Sequence, residues 1–346
     1  MKVAYLTGLG QLELRDEPDP VVERPGDVLL RIDRVGVCGS DVHYYTSGRI
    51  GQQICRYPET LGHECSGTVM EVGSAVEGLE PGDRVAVDPA FVCGACDQCQ
   101  AGRHNTCRNI RFMGSPGQAP GAMAEYRVVP GSNCLVIPDA VSLDQAALVE
   151  PLTIGMHAVR LAELYPGARI AVLGSGPIGL SVLVCAKMTA PVSVYVTDLI
   201  HERLAVAQRC GADWTGSPER EDVVAAITEQ EPRGLDVVFE CSGDPACIDQ
   251  AAALATPGGT LMLVGIPPTP QVSFDVHTTR TKELVLKNVR RQKGCIGPVI
   301  RSIAQGRIDT GPLLTHHFSL DAIRDAFELV AAYRDGVIKA MIHLSS

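Results

Sequence analysis

The sequence is poor in aromatic residues, which make up only 4% of it. Aromatic side chains are the platforms on which single-stranded nucleic acids stack, so this scarcity argues against such ligands. Basic residues are not in excess either, since 30 Lys and Arg stand against 40 Asp and Glu, a formal net charge of −10. Phosphate backbones and anionic lipid surfaces require clustered cations. The composition therefore disfavours a nucleic-acid or membrane partner and fits a neutral small-molecule substrate.

Long apolar runs are also missing, and no stretch approaches the roughly 20 residues that a membrane-spanning helix needs. Residues 1–10 lack the apolar core and the small-residue cleavage site of a secretory signal. The 13 cysteines are odd in number, and the chain is too large for a secreted disulfide scaffold. We therefore expect a cytoplasmic protein whose clustered thiols are available to bind metal.

The pattern of the sequence changes part-way along, and 346 residues are enough for two domains. Residues 1–150 contain short β-like runs such as 27–32, separated by Gly and Pro turns, which is typical of an antiparallel, barrel-like β domain. Within 151–288, short buried strands such as 192–197 alternate with helical segments, which predicts an α/β domain with a doubly wound parallel sheet. The remaining residues, 289–346, are expected to return to the first domain and complete it.

A glycine-rich turn follows the predicted strand 168–173 and opens a predicted helix. Its form is G-x-G-x-x-G: Gly174 permits a tight turn, Gly176 lets a pyrophosphate approach the backbone, and Gly179 lets the helix pack on the strand. Pro177 and Ile178, between the last two glycines, complete the predicted cofactor-binding turn. The alternative is a turn that binds nothing, but its place between strand and helix favours a dinucleotide site.

Asp198 ends the next predicted strand, 192–197. A carboxylate at this position accepts hydrogen bonds from the ribose hydroxyls and repels the extra phosphate of NADP, so the predicted cofactor is NAD. Arg203 is predicted to cover the adenine, the alternative being a surface charge on a helix. The predicted cofactor-binding set also includes Val264, Gly265 and Ile266, at the end of the strand 260–264.

Four cysteines, Cys93, Cys96, Cys99 and Cys107, form a short lobe with the spacing C-x2-C-x2-C-x7-C. Four thiolates on a loop with small and turn-forming residues match a closed tetrahedral zinc site. An iron–sulfur cluster is the alternative metal centre, and two disulfides are disfavoured in a cytosolic chain. Because such a site has no open coordination position, its zinc is predicted to be structural.

A second candidate metal site precedes this lobe on glycine-flanked segments that carry Cys38, His63 and Glu64. A catalytic zinc takes three protein ligands and leaves one position open. These three side chains can supply the ligands, although a lone Cys or His is more often structural. Glu150, at the predicted domain junction, is placed to hold the water on the metal or to replace a ligand.

These motifs together carry a family resemblance. Residues 62–76 fit the signature G-H-E-x2-G-x5-G-x2-V of the zinc-dependent medium-chain alcohol dehydrogenases at every fixed position. Cys38 before it, the cysteine lobe after it and the glycine turn beyond keep the family's order, so the resemblance covers nearly the whole chain. It implies a GroES-like β-barrel catalytic domain, a Rossmann NAD-binding domain, two zinc ions per subunit (one catalytic, one structural), and a homo-oligomer, either dimer or tetramer.

Within that family the chain is most similar to the sorbitol and xylitol dehydrogenases, which oxidise a secondary alcohol of a polyol to a ketose. Residues 38–44, 47–51 and 150–152 match that polyol branch. The resemblance implies that Cys38, His63 and Glu64 bind the catalytic zinc. The same resemblance implies that Glu150 and Tyr44 contact the substrate, and that Ser40 and His43 relay its proton towards solvent.

One segment departs from the polyol branch. The family often has Phe-Arg-Tyr near the final crossover, whereas this chain has Arg-Arg-Gln-Lys at 290–293. Arg291 is expected to keep its contact with substrate, while Gln292 replaces the tyrosine. The alternatives are oxidation of another alcohol such as L-threonine by the same machinery, and a non-catalytic nucleotide-binding relative of the family.

Overall fold

The computed structural model describes residues 1–344. Its strands are Lys2–Gly8 (β1), Gln11–Asp16 (β2), Asp27–Gly36 (β3), Arg49–Ile50 (β4), Gln53–Ile54 (β5), Glu64–Val72 (β6), Arg84–Val87 (β7), Ala90–Phe91 (β8), Arg111–Phe112 (β9), Tyr126–Pro130 (β10), Cys134–Val136 (β11), Arg169–Leu173 (β12), Ser193–Thr197 (β13), Trp214–Gly216 (β14), Leu235–Glu240 (β15), Ala255–Leu263 (β16), Val285–Asn288 (β17), Leu314–Ser319 (β18) and Lys339–His343 (β19). Its α-helices are Gly39–Ser47 (α1), Asp97–Gln100 (α2), Leu143–Ala147 (α3), Val149–Ala162 (α4), Pro177–Thr189 (α5), His201–Arg209 (α6), Val223–Gln230 (α7), Ala246–Leu254 (α8), Val276–Thr281 (α9), Ile296–Ala304 (α10) and Ile323–Ala331 (α11).

The first compact unit contains Met1–Glu150, Ile296–Gly306 and the chain from Leu314 onward. Its main sheet has the strand order β11-β7-β6-β3-β19-β18, and β10 also pairs with β3. The pairs are antiparallel except for β18 with β19. Along β3, Val28, Leu30 and Ile32 are fully buried while the residues between them are partly exposed, which is the period-2 alternation of a strand with one face on a core. The predicted antiparallel, barrel-like β domain is confirmed.

The second unit contains Pro151–Cys295 and Arg307–Leu313. Its six strands form one parallel sheet with the order β14-β13-β12-β15-β16-β17. The chain fills one side from β12 to β14 and then the other side from β15 to β17, so the order reverses between β12 and β15. Ligands of doubly wound sheets bind outside the carboxyl ends of the strands at such a switch point. The predicted Rossmann sheet is confirmed.

Beyond residue 288 the chain alternates between the two units, whereas the sequence predicts a single return to the first domain. Residues 289–295 lie with the second unit, where the backbone N–H of Val289 donates to the carbonyl of Leu263 at 2.9 Å and extends the pairing of β17. Arg307–Leu313 also lies there, because its short 3-10 helix, Gly311–Leu313, packs on α6. Along the described part of the chain, no helix is both long and apolar enough to cross a membrane.

Candidate metal and dinucleotide sites

Strand pairing in the first unit brings the first predicted metal-binding set together. Glu64, the first residue of β6, lies opposite Gly36 at the end of β3. Cys38 follows β3 as the N-cap of α1, and His63 immediately precedes β6. The candidate ligand atoms of Cys38, His63 and Glu64 all lie within 4.8 Å of one another. A thiol, an imidazole and a carboxylate at this spacing are a donor set that fits zinc with one position left open.

Asp41 holds both ligand-bearing segments from the interior of the unit, where it is fully buried. Its carboxylate accepts hydrogen bonds from the backbone N–H of Cys38 at 3.1 Å and of Gly62 at 3.3 Å, and it lies 3.5 Å from Nδ1 of His63. Burial lowers the pKa of His63, but the neighbouring Asp41 and Cys38 outweigh it and raise that pKa well above its ordinary value. A carboxylate behind a metal-binding histidine fixes the orientation of the ring.

Sequence reasoning missed Lys339, the first residue of β19. Its ammonium lies 2.6 and 2.8 Å from the two carboxylate oxygens of Glu64 and 3.2 Å from the carbonyl of Val37. The only sequence signal was a single charged residue within the apolar segment 337–342. Gly36 leaves the space that the pair needs, because a Cβ atom there would overlap the Glu64 carboxylate and lie 3.2 Å from Cδ of Lys339.

Glu150, in the first turn of α4, belongs to the same electrostatic environment. Its pKa is raised to about 7, first by burial and then by the Glu64 carboxylate, while His63 and Lys339 act in the opposite direction. Burial therefore favours the protonated form of this carboxyl group. The protonation of Glu150 thus depends on the charges of His63 and Glu64, two of the candidate metal ligands.

Helix α1 carries the predicted Ser40, His43 and Tyr44. Ser40 and His43 are partly buried, and burial lowers the pKa of His43. Tyr44 is only 4% exposed, and burial, partly offset by a hydrogen bond with Ser115, raises its pKa to about 12. Its phenol therefore stays neutral and keeps its proton for hydrogen bonding.

The four-cysteine lobe forms a compact group of thiols. The Sγ atom of Cys93 lies 3.5 Å from that of Cys107 and 4.0 Å from that of Cys99. The Sγ atoms of Cys96 and Cys107 are 3.9 Å apart, and all four cysteines are free thiols. A tetrahedral ion with Zn–S bonds of about 2.3 Å places its sulfur atoms about 3.8 Å apart. The spacing fits one ion, since the several iron atoms of a cluster would hold the thiolates farther apart.

Hydrogen bonds favour the thiolate form at Cys93 and Cys96, whereas burial raises the pKa of Cys99. Backbone N–H groups of Ala95 and then Cys96, together with the thiol of Cys107, lower the pKa of Cys93 to about 6. Arg108 pairs with Asp97 at 2.8 Å and closes the loop from outside. The four cysteines thus meet the requirements of the predicted structural zinc.

The glycine turn of the second unit connects β12 to α5. Gly174 has a φ of +92°, a conformation open mainly to glycine, and a Cβ on it would lie 2.9 Å from the backbone nitrogen of Ser242. A Cβ on Gly179 would overlap the carbonyl oxygen of Gly174. Helix α5 begins at Pro177, directly after Gly176, and continues through Ile178, so its first backbone N–H groups face the turn. The arrangement is that of an anion-binding helix N-terminus.

Asp198 and Arg203 lie against this turn. The Asp198 carboxylate accepts hydrogen bonds from the backbone N–H of Ser175 at 2.6 Å, from its hydroxyl at 3.1 Å and from the N–H of Ile200 at 2.8 Å. A Cβ on Gly176 would lie 3.4 Å from Nη1 of Arg203, so the guanidinium reaches the turn. The structure therefore brings both predicted side chains to the glycine turn.

The neighbouring strand ends complete this edge of the sheet. Val264 and Gly265, just after β16, each donate a backbone hydrogen bond of 2.9 Å to the carbonyl of Glu240, and Ile266 beyond them is 52% exposed. Sequence reasoning missed Ser242, whose hydroxyl and backbone N–H donate to the Glu240 carboxylate at 2.6 and 2.7 Å. Its signal was the Ser-Gly pair that follows the predicted strand 236–240.

Arg291 lies in the second unit in a left-handed conformation, with a φ of +50°, and is partly buried. The next side chain, Gln292, accepts a hydrogen bond from the backbone N–H of Cys295 at 2.9 Å. Gln292 therefore helps to hold the local turn.

A Rossmann sheet with a glycine turn in one unit, and candidate metal sites of three and of four side chains in the other, are the features of a zinc-dependent dehydrogenase. Residues 24–139 match the family described as "Alcohol dehydrogenase GroES-like domain", and residues 177–305 match "Zinc-binding dehydrogenase". The chain is 35% identical to a sorbitol dehydrogenase of Bacillus subtilis (strain 168), over 99% of this chain and 97% of that one. Identity to a Gallus gallus sorbitol dehydrogenase is 38%, over 94% and 91% of the two chains.

Among solved structures, an Escherichia coli oxidoreductase/dehydrogenase of unknown specificity superposes with a TM-score of 0.94 at 34% identity, covering 100% of this chain and 99% of that one. The protein belongs to the zinc-dependent medium-chain alcohol dehydrogenases, in their polyol dehydrogenase branch. The predicted family is thereby confirmed, and the non-catalytic alternative is set aside.

Proposed function

We propose that the protein oxidises a secondary alcohol of a polyol to the ketose while NAD becomes NADH and one proton is released. The observation that carries this proposal is the convergence of Cys38, His63 and Glu64 within 4.8 Å at a buried end of β3 and β6. When bound there, zinc supplies Lewis acidity that favours loss of the alcohol proton, and NAD accepts the hydride.

The side chains around the ligand set hold it in place for this reaction. Asp41 orients His63 and ties its segment to that of Cys38, while Lys339 fixes the Glu64 carboxylate. Preorganised ligands favour the metal because little ordering is left to be done on binding. Glu150 supports the site with a carboxyl group whose pKa is raised to about 7, chiefly by burial.

Substrate contacts and proton transfer are assigned to α1 and the crossover segment. Tyr44 contacts the polyol as a neutral phenol, which both donates and accepts hydrogen bonds. Ser40 and His43 pass the released proton towards solvent, and the lowered pKa of His43 keeps its imidazole neutral and able to accept. Glu150 and Arg291 contribute the remaining polar contacts to substrate.

The second unit binds NAD by its glycine turn. Backbone N–H groups at the start of α5, around Gly176, receive the pyrophosphate. Asp198 accepts hydrogen bonds from the ribose hydroxyls and disfavours NADP, because a 2′-phosphate would meet its negative charge. Arg203 covers the adenine, and Val264, Gly265 and Ile266 border the site from the end of β16.

We further propose a homo-oligomer in a reducing compartment, the cytoplasm. The last strand of the parallel sheet, β17, begins with Val285, which is 45% exposed. Apolar side chains along an unpaired sheet edge favour pairing with a second copy. Light scattering coupled to size exclusion tests the oligomer.

The proposed compartment rests on the cysteines. The 13 free thiols, four of them in one candidate metal-binding lobe, suit a reducing environment.

The function is tested by initial rates of NADH formation with xylitol, sorbitol, ribitol, galactitol and L-threonine, each with and without a zinc chelator. We expect a strong, chelator-sensitive rate with one polyol and a much weaker rate when NADP replaces NAD. A rate confined to L-threonine would instead support the alternative substrate, which the replacement of tyrosine by Gln292 makes worth including. No rate with any polyol, despite bound zinc and NAD, would refute the substrate assignment.

A further inference from the structure

A third group of metal-ligating side chains lies in the first unit, apart from both predicted zinc sites. Asp144 is in α3, His317 is in β18, and His343 ends β19. Strands β18 and β19 are parallel with Ser319 opposite His343, so the two histidines are diagonal neighbours on one face of the sheet. Helix α3 packs on β3, β6 and β7 of the same sheet, which brings Asp144 to this face. Segments distant in the sequence therefore converge on one point.

The distances within this triad suit a single small ion. Nδ1 of His317 lies 2.8 Å from Nε2 of His343, and Oδ1 of Asp144 lies 3.2 Å from His343 and 3.9 Å from His317. A tetrahedral zinc ion with bonds of about 2.0–2.2 Å to nitrogen and oxygen places its donor atoms about 3.3–3.5 Å apart. The three observed distances lie on both sides of that value, so small rotations of the rings bring all three donors onto one ion.

The protonation state of the histidines also suits a metal ion. Two ring nitrogens 2.8 Å apart form a hydrogen bond only if one imidazole is neutral, and neutral imidazole is the form that binds metal. The Asp144 oxygen that faces the histidines also lies 3.3 Å from Nε of Arg34. Arg34 positions this carboxylate and offsets part of its charge, so we expect weaker binding than at the four-thiol lobe.

We propose that Asp144, His317 and His343 bind a third divalent transition-metal ion of the zinc class, in addition to the catalytic and structural ions. Two imidazoles and one carboxylate are borderline donors that suit Zn²⁺ and, by the same chemistry, Co²⁺, Ni²⁺ and Cu²⁺. The side chain of His317 is 48% exposed, so an ion reaches the triad directly from solvent. The bound ion joins α3 to β18 and β19 and thereby stabilises the folded first unit.

The test is calorimetric titration of Zn²⁺ into enzyme whose two family zinc sites are already filled, as verified by metal analysis. We expect one further equivalent to bind. The variants H317A and H343A should bind it more than about tenfold more weakly, since even changes outside the first ligand shell cost about 10–100-fold in metal affinity. The control is H316A, because the adjacent His316 ring contacts Thr315 and Asp335 and lies outside the triad.

In the titration, two results would overturn the proposal: no further equivalent in the unmodified enzyme, or equal affinity in all four proteins. Polyol oxidation by each variant serves as the check that it has folded, since neither His317 nor His343 belongs to the catalytic set. Independently, crystals soaked in Zn²⁺ should give an anomalous peak at the zinc edge between the three side chains. A soak with peaks only elsewhere would refute the site even if a variant failed to fold.

Discussion

The ammonium group of Lys339 lies 2.6 Å from one carboxylate oxygen of Glu64 and 2.8 Å from the other, and both side chains are only 1% exposed. The two residues are 275 positions apart in the sequence. Their ion pair joins the last described strand of the first unit to the strand that begins at the candidate metal site. Removal of one partner from a buried pair leaves an uncompensated charge, which costs much more than the pair itself contributes.

We therefore expect Lys339→Met to lower the free energy of unfolding by about 3–5 kcal/mol and to weaken zinc binding at Glu64. Urea unfolding and metal analysis of the purified enzyme measure the two effects. Lys2→Met is the matched control, since Lys2 pairs with Asp321 on an exposed surface and its loss should leave both quantities nearly unchanged. Equal behaviour of the two variants would show that the buried pair has no special role.

Replacement of Gly36 by Ala tests the space around Glu64. The added Cβ would overlap the Glu64 carboxylate, so we expect the side chain to move and the catalytic zinc to be lost together with most of the activity. Gly26→Ala is the control, because nothing lies within 4 Å of the corresponding Cβ. Metal analysis should show that the Gly36→Ala variant loses the catalytic zinc ion, while its four-cysteine lobe keeps the structural one. Retention of both ions with full activity would contradict the assignment.

The zinc assignment predicts a separation of turnover from cofactor binding. Cys38→Ala and His63→Ala should abolish polyol oxidation because each removes one of three ligands. NADH binding, followed by its fluorescence, should remain unchanged, since the glycine turn belongs to the other unit. Cys210→Ala serves as control because this cysteine lies outside the candidate metal-binding groups among the described residues. Full activity in either ligand variant would refute the catalytic site.

Cofactor preference should depend on Asp198. Asp198→Ala removes an acceptor of ribose hydroxyls and the charge that repels a phosphate, so the ratio of kcat/KM for NAD to that for NADP should fall about 10- to 100-fold. Asp222→Ala is the control: it removes the N-cap of α7, which the carboxylate forms with the N–H of Ala225 at 3.0 Å, and should leave the ratio unchanged. An unaltered ratio in the first variant would remove Asp198 from the cofactor site.

Local motifs made much of this protein predictable from sequence. The spacing of Cys93 to Cys107, the glycine turn at 174–179 and the His63–Glu64 pair each carry their chemistry within a few residues, and the alternating pattern of β3 identifies its buried face. These motifs fix the fold class and the candidate zinc and cofactor residues, because the geometry that each needs is set by neighbours in the chain.

Long-range partnerships could not be predicted in the same way. Lys339 carries no motif, and its meaning depends on the pairing of β19 with β3, which no local pattern specifies. Asp144, His317 and His343 are likewise ordinary surface-type residues until the sheet brings them together. The course of residues 289–295 and 307–313 also depends on packing against β16 and α6, and not on their own composition.

The strand order of the first unit determines when its main sheet can be completed during synthesis. Strand β19 lies between β3 and β18 and pairs with residues 34–36 of β3, so this part of the main sheet stays incomplete until translation has reached the last described strand. The second unit, in contrast, has all six strands of its sheet within Pro151–Cys295 and can form that sheet while synthesis continues. The first unit therefore completes its main sheet after the second unit has been made, and Glu64 gains its lysine partner only once Lys339 has been synthesised.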